Sequence, residues 1–274
     1  MPEGHSIHRL AGRHRRLLLG RRVRASSPQG RFTEGAALLD GAELVGTDAW
    51  GKHLFHEYVG DGPLLLHVHL GLYGKFRDGT GEASEPRGAL RLRLVAEGGG
   101  TWLDLRGPTA CELLTPAEQE ALLARLGPDP LRPRTDPGPW LARVARSRAP
   151  LGTLLLDQSV VAGIGNVYRA ELLFRHGLNP HLPGRDAGAE VLALAWDDLT
   201  RLMRTGVRAG RIVTTEAEHR ARPVGRARRI DAHYVYGRAG LPCRVCGAGI
   251  VDATLAARRV FWCPSCQPSV AAEA

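Results

Sequence analysis

Between positions 6 and 20 the apolar residues Ile7, Leu10, Ala11, Leu17 and Leu18 recur every three or four residues, with His14 on the same stripe, and Gly20 follows. That period predicts a helix buried along one face and stopped at the glycine. The pattern then shortens. Residues 44–48, 54–59, 64–70, 89–95, 102–106 and 111–114 form short apolar or alternating runs parted by glycine-rich breaks. So many strands without helices between them predict a sandwich or barrel. A short helical run at 116–126 precedes residues 127–139, whose five prolines predict a stiff linker. Beyond it the helical period returns at 140–146, 152–157, 167–176 and 187–208, followed by an arginine-rich irregular stretch at 211–229. The chain thus divides into residues 1–128, a linker at 129–139, a helical segment at 140–235 and a cysteine-rich end at 236–268: an α+β multidomain protein.

The cysteine-rich end carries the most specific spacing. Cys243 and Cys246, then Cys263 and Cys266, form two Cys-x2-Cys knuckles separated by sixteen residues. This is the spacing of a zinc ribbon, in which four thiolates close the coordination sphere, so the metal is structural. Between the knuckles lie Arg258, Arg259, Val260, Phe261 and Trp262, a basic and aromatic stretch on the expected ribbon hairpin. The aromatic residues can cover the ribbon's small core, whereas the arginines have no packing reason to be there. Cys111 stands apart in an apolar strand and reads as a small buried hydrophobe.

Composition narrows the class of partner. At 274 residues the chain is long enough for two packed units, and 43% apolar content with 24% charged excludes a disordered chain, a coiled coil or a fibre. Lys52 and Lys75 are the only lysines among 37 basic residues, which face 28 acids to give a net charge of +9. With a pI near 9.9 the expected partner is a polyanion. The polar, basic start lacks the apolar core of a signal peptide, and no apolar run reaches the ~20 residues of a membrane span. A cytoplasmic, nucleoid-associated protein with reduced thiols is expected, without a membrane partner.

Three further features suggest chemistry. Proline at position two permits removal of Met1, exposing a secondary amine with an ordinary pKa near ~8 that attacks electrophilic carbon as an iminium former; Glu3 beside it can shuttle protons. Gly163 and Gly165 open a helix in a turn that presents free N–H groups to an anion. It lacks the preceding strand and third glycine of a dinucleotide fingerprint, so no nucleotide cofactor is expected. Lys52 sits at an expected hairpin tip, where its ammonium offers a tunable cation or merely a solvated surface charge. His67 and His69 share one strand face, as His5 and His8 share one helix face; without a third ligand neither pair is assigned a metal.

Pro2-Glu3-Gly4, the run from His69 to Gly74, the turn from Ala162 to Tyr168, and the residues around both knuckles together resemble the formamidopyrimidine-DNA glycosylase/endonuclease VIII family nearly end to end. The resemblance implies bifunctional base-excision repair enzymes built from an N-terminal β-sandwich, a helix–two-turn–helix domain and a zinc finger. It implies that Pro2 attacks C1′ of a damaged nucleoside, that Glu3 assists as acid and base, and that β- and δ-elimination nick the strand. Lys52 resembles the family's hairpin lysine at the lesion's phosphate. Asn166, with Tyr168 beside it, resembles the DNA-backbone contact of the turn. Arg258 resembles the zinc-finger arginine, with Arg259 as a competing register, and Leu72 and Tyr73 look like the wedge that fills the stack after the base is extruded.

The branch is less sharply marked. Leu72-Tyr73-Gly74 with Pro2-Glu3-Gly4 is similar to the endonuclease VIII branch, which takes oxidised pyrimidines. The run Val235-Tyr-Gly-Arg238 is similar to the formamidopyrimidine branch, which takes 8-oxoguanine and formamidopyrimidine. His5 and Ser6 depart from the Pro-Glu that family members usually carry there, and the loop at 214–229 matches neither branch. The expected partner is damaged DNA, met by a monomer. The competing class is a silent damaged-DNA-binding protein that keeps the basic surface without the chemistry; a zinc-ribbon RNA or translation factor leaves the N-terminal half unexplained.

Overall fold

The computed structural model describes residues 2–269; Met1, whose loss the Pro2 chemistry requires, lies outside the described residues. The chain forms two compact units, residues 1–125 and 126–274.

The first unit opens with α1 (Gly4–Leu18), whose buried positions Ile7, Ala11, His14 and Leu18 form the predicted stripe. Two antiparallel four-stranded sheets follow, ordered β1-β6-β7-β5 and β2-β3-β4-β8. They are built from β1 (Val23–Ser26), β2 (Glu43–Trp50), β3 (His53–Val59), β4 (Pro63–His69), β5 (Lys75–Thr80), β6 (Leu90–Ala96), β7 (Thr101–Arg106) and β8 (Ala110–Leu114), with α2 (Thr33–Leu39) inserted after β1. Leu44, Leu54, Tyr58, Leu66 and Val68 of one sheet meet Leu92, Leu94, Leu103 and Leu105 of the other, and α1 adds Ile7 and Leu18 to this core. Strands β1 and β5 and helix α2 escaped the sequence reading because four residues, a run as polar as Lys75-Phe-Arg-Asp-Gly-Thr80, and a seven-residue helix give too little period to detect. Within the sheet β6 and β7 pair Arg93 with Asp104 at 2.7 and 2.8 Å, a bidentate contact that leaves neither charge unpartnered in the interior. Helix α3 (Pro116–Leu123) ends the unit, with proline in its first turn and a Thr115–Glu118 capping box.

The second unit packs α4 (Gly138–Ala145), α5 (Leu151–Leu154), α6 (Asn166–Arg175) and α7 (Ala189–Ala209) around Trp140, Val144, Leu151, Tyr168, Leu172, Trp196, Leu199 and Met203. A separate small core of Phe174, Tyr234, Val235, Ile250 and Phe261 lies at the cysteine-rich end, where β9 (Val251–Leu255) and β10 (Arg258–Trp262) form a hairpin. The proline-rich stretch is not a free linker. Gly127 donates to the Gln158 carbonyl at 2.8 Å, Ala162 donates to the Pro128 carbonyl at 3.0 Å, and Asp129 is fully buried, so the stretch is packed into the second unit. Proline content signals stiffness but says nothing of what the stiff segment leans on.

Candidate active site

In the first unit the expected site residues lie toward one end of the sandwich. Glu3 is the N-cap of α1, extended at φ −122° and ψ 174°, and fully buried, with Pro2 half-buried before it. Its carbonyl accepts from the Ser6 N–H at 2.8 Å, while its side chain does not cap the helix. Helix α1 runs antiparallel to β2. Gly20, just past the helix, donates to the Leu44 carbonyl at 2.8 Å, and the Thr47 hydroxyl donates to the Ala11 carbonyl at 2.9 Å. Continued at about 1.5 Å per helical residue and about 3.3 Å per strand residue, Pro2 and Glu3 arrive level with Trp50 and Lys52. There Gly51 and Lys52 form a two-residue hairpin turn between the paired Trp50 and His53, and Gly51 at φ 57° supplies the left-handed backbone such turns demand.

The expected wedge lies at the same end, because His69 at the end of β4 pairs with His53 at the start of β3. Residues 70–74 cross from one sheet to the other. The Gly74 N–H donates to the Leu70 carbonyl at 2.9 Å, and a Cβ on Gly74 would lie 2.2 Å from that oxygen. This tight closure pushes Leu72 and Tyr73 outward, 52% and 83% exposed. An exposed aromatic with no packing role is the shape a base-stack wedge requires. His5, one of the departures from the family pattern, is buried 3.1 Å from the Ser6 hydroxyl, and burial pulls its pKa down to about 4. His67 and His69 do share a face, and they share it with His53 rather than with each other alone.

In the second unit the glycine turn leads into α6 as expected, with Gly163 at φ 94° and Gly165 as N-cap. Asn166 donates from Nδ2 to the Arg259 carbonyl at 2.8 Å and accepts at Oδ1 from Arg169, which also donates to the Arg259 carbonyl at 2.9 Å. The turn and the ribbon hairpin are therefore held as one piece. Tyr168, expected among the DNA contacts, is fully buried in the helical core, so it supports the turn and presents nothing outward. Arg258 and Arg259 are both exposed on β10. Arg259 donates to Asp252 at 2.9 Å and lies 5.0 Å over the Phe261 ring.

The four cysteines converge, with their Sγ atoms all within 4.8 Å of one another, and they hold one structural zinc ion. Cys243 and Cys266 Sγ are 3.9 Å apart and Cys246 and Cys263 3.5 Å, so each contact joins opposite knuckles as a tetrahedral S4 site requires. The N–H groups of Val245 and Cys266 donate to the Cys243 and Cys263 sulfurs at 3.5 Å, orienting the ligands. The donor set is closed, so the metal offers no position to a substrate. Cys111 is buried in the sandwich, where burial pushes its thiol up to about 12, out of reach of redox chemistry near neutrality.

Glu171, which sequence reasoning passed over, and Gln267, which it met only as the end of the second knuckle's motif, organise this unit. Glu171, fully buried on α6, accepts from the backbone N–H groups of Tyr234, Val235 and Tyr236 at 2.7–2.8 Å and from the Thr214 hydroxyl. It thereby pins both ends of the arginine-rich loop. Gln267 donates to the Leu178 carbonyl at 2.7 Å and accepts from Cys263 N–H at 2.9 Å, tying the second knuckle to the end of α6. A glutamate two residues after a buried arginine carries no sequence signal of burial.

Comparison with known proteins matches the formamidopyrimidine-DNA glycosylase N-terminal domain over residues 1–111, the formamidopyrimidine-DNA glycosylase H2TH domain over 126–218, and the zinc finger found in FPG and IleRS over 240–268. Endonuclease 8 1 of Mycobacterium tuberculosis is 51% identical over 97% of this chain and 100% of its own length. Formamidopyrimidine-DNA glycosylase of Thermus thermophilus is 32% identical over 97% of this chain and 98% of its own. The crystal structure of the Thermus thermophilus MutM (FPG) protein superposes with a TM-score of 0.77 at 31% identity, covering 97% of this chain and 98% of that one.

Proposed function

The chain belongs to the formamidopyrimidine-DNA glycosylase/endonuclease VIII family of DNA glycosylases with AP lyase activity, and from that premise we propose that it removes oxidised pyrimidines from DNA through an iminium at Pro2. The Pro2 nitrogen, freed of Met1, attacks C1′ and gives up its proton; the bond to the base breaks and the base leaves with a proton, and the C1′–O4′ bond then opens, O4′ taking a proton by way of Glu3, to leave the C1′ iminium. The C1′ iminium acidifies C2′, and loss of that proton expels the 3′ phosphate; a second elimination expels the 5′ phosphate. Lys52 lies against the phosphate of the lesion and Leu72 and Tyr73 fill the vacated stack. Arg258 and the α6 turn grip the backbone, and the zinc ion keeps the hairpin bearing Arg258 folded.

What supports this reading is that α1 begins at the fully buried Glu3 and runs antiparallel to β2, the strand that leads into the Gly51-Lys52 turn. The pyrimidine preference rests on the 51% identity to an endonuclease 8 against 32% to a formamidopyrimidine-DNA glycosylase. Borohydride reduction on an abasic-site duplex should trap a covalent adduct with the processed chain, and none with a chain extended by one N-terminal residue, whose Pro2 nitrogen is an amide. An adduct that survives the extension assigns the nucleophile elsewhere; salt-sensitive binding with no adduct in either chain identifies a silent binder. Excision from thymine glycol duplexes should outpace excision from 8-oxoguanine duplexes.

A further inference from the structure

The arginine-rich stretch after α7 is a motif that the chemistry at Pro2 leaves unused. Residues 211–229 hold six arginines against two acids, Glu216 and Glu218. The stretch is fastened at its root. The Thr214 N–H donates to the Ala232 carbonyl at 2.9 Å, the Thr215 hydroxyl donates to the Asp231 carbonyl at 2.6 Å, and the Glu216 N–H donates to the Tyr234 hydroxyl at 2.9 Å.

This root gathers three of the arginines. Arg211 donates to the Ala227 carbonyl, which brings the exposed Arg226 beside it. Arg220 donates to the Thr215 carbonyl and, from Nε at 3.0 Å, to the Thr215 hydroxyl. These acceptors are neutral, so they orient the guanidinium groups without balancing their charge. The carboxylates of the neighbourhood lie against other cations: Glu216 is 2.9 Å from Arg175, Asp231 is 3.4 Å from Arg244, and Glu218 is 4.0 Å from His219. Among the described residues none forms an ion pair with Arg211, Arg220 or Arg226. Arg211 Nε is enclosed and donates to nothing. Burial, then the charges of Arg226 and Arg220, pull the Arg211 guanidinium below its ordinary value. Gathered like charges repel, and an anion seated among them removes that cost.

We propose that Arg211, Arg220 and Arg226 together bind one phosphate group, supplied by a phosphodiester of bound DNA or by a free phosphate ion. Arg226 offers its whole fork, Arg220 offers the Nη1 that Thr215 leaves free, and Arg211 adds charge from beneath. Guanidinium forks match phosphate oxygens, and a phosphate has enough of them to serve more than one fork at a time. Because backbone carbonyls fix Arg211 and Arg220 before any ligand arrives, little side-chain freedom is lost on binding. As a DNA contact the site rests on the reading of this chain as a DNA-binding enzyme, and not on the iminium at Pro2.

The test follows the arginine Nε–H resonances of the full chain while a short undamaged duplex and inorganic phosphate are added separately. A shift of the Arg211 and Arg226 signals with stoichiometric duplex, but not with millimolar phosphate, identifies the phosphodiester; a shift with phosphate as well identifies a site open to the free ion. No shift with either overturns the site. Arg226 makes no hydrogen bond or ion pair among the described residues, so its replacement spares the fold. Arg226→Gln should weaken duplex binding roughly fivefold and lower the salt slope by about 1. Arg185→Gln, which removes the same charge from a residue already paired with Asp186, should change affinity less than about twofold. Equal losses in the two variants would overturn the cluster as a DNA contact. A wild-type chain without salt-dependent duplex binding would instead remove the DNA reading, and the phosphate titration then decides the site by itself.

Discussion

Arg258 and Arg259 are neighbours in sequence and unequal in chemistry. Arg259 is engaged by Asp252 at 2.9 Å and by the Phe261 ring, and its carbonyl anchors Asn166 and Arg169. Arg258, at the turn end of β10 opposite Leu255, points to the other side of the ribbon. With Arg258 read as the finger's phosphate contact, Arg258→Ala should weaken DNA binding roughly tenfold and reduce the salt slope by about 1, with a smaller effect from Arg259→Ala, whose guanidinium is paired with Asp252. Fluorescence titrations across a salt series would check the ranking, and the reverse order would return the role to Arg259. The same contrast shows what single residues reveal in a sequence. Pro2, Lys52 and the cysteines stand out by position or spacing, whereas Tyr168, Arg169 and Glu171 look like the exposed and buried faces of an ordinary helix. In the structure all three are fully buried, because the turn and the ribbon close over α6 from both sides.

At the level of elements, the ribbon hairpin holds a local strain. Its two turn residues, Ala256 and Ala257, adopt φ 52° and 56°, a left-handed conformation that costs about 1–2 kcal/mol per non-glycine residue. Ala257→Gly should relieve about 1 kcal/mol, raising amide-exchange protection of β9 and β10 in the zinc-bound protein; unchanged protection would mean that the packing of Val260 and Phe261 alone sets hairpin stability. The β2-β3 turn answers the same backbone demand with Gly51 and needs no such correction. Helix α1 was legible because its buried stripe repeats over fifteen residues, and β3, β4 and β7 because their apolar runs are bounded by glycine or polar breaks. Elements with shorter or more polar runs owe their form to the neighbours they pair with, as β5 does to β7.

Across the whole molecule, buried histidines are concentrated in the first unit, where His5, His14, His56 and His67 are all nearly or fully enclosed. Burial pulls His5 and His56 from 6.5 to about 4, and His14 well below 6.5. The unfolded chain therefore binds more protons than the folded one between these values. Their contribution is fully present above about pH 6.5 and is lost as the pH falls toward 4, at about 2 kcal/mol for each of His5 and His56 by pH 5. Melting curves from pH 7.5 to 4.5 should show a steep fall of the first unit's transition with proton uptake on unfolding; a flat profile would mean that these imidazoles are charged in the fold.

The sequence by itself determined the classes of element, the zinc ribbon, the basic surface and the candidate nucleophile, because period, spacing and residue chemistry are local and survive without a partner. Only the tertiary structure decided that the proline-rich stretch packs into a unit, that Glu171 pins a loop, and that His53, His67 and Glu112 line up across three strands. These depend on register between segments far apart in the chain, and a shift of one residue would turn each side chain to the opposite face.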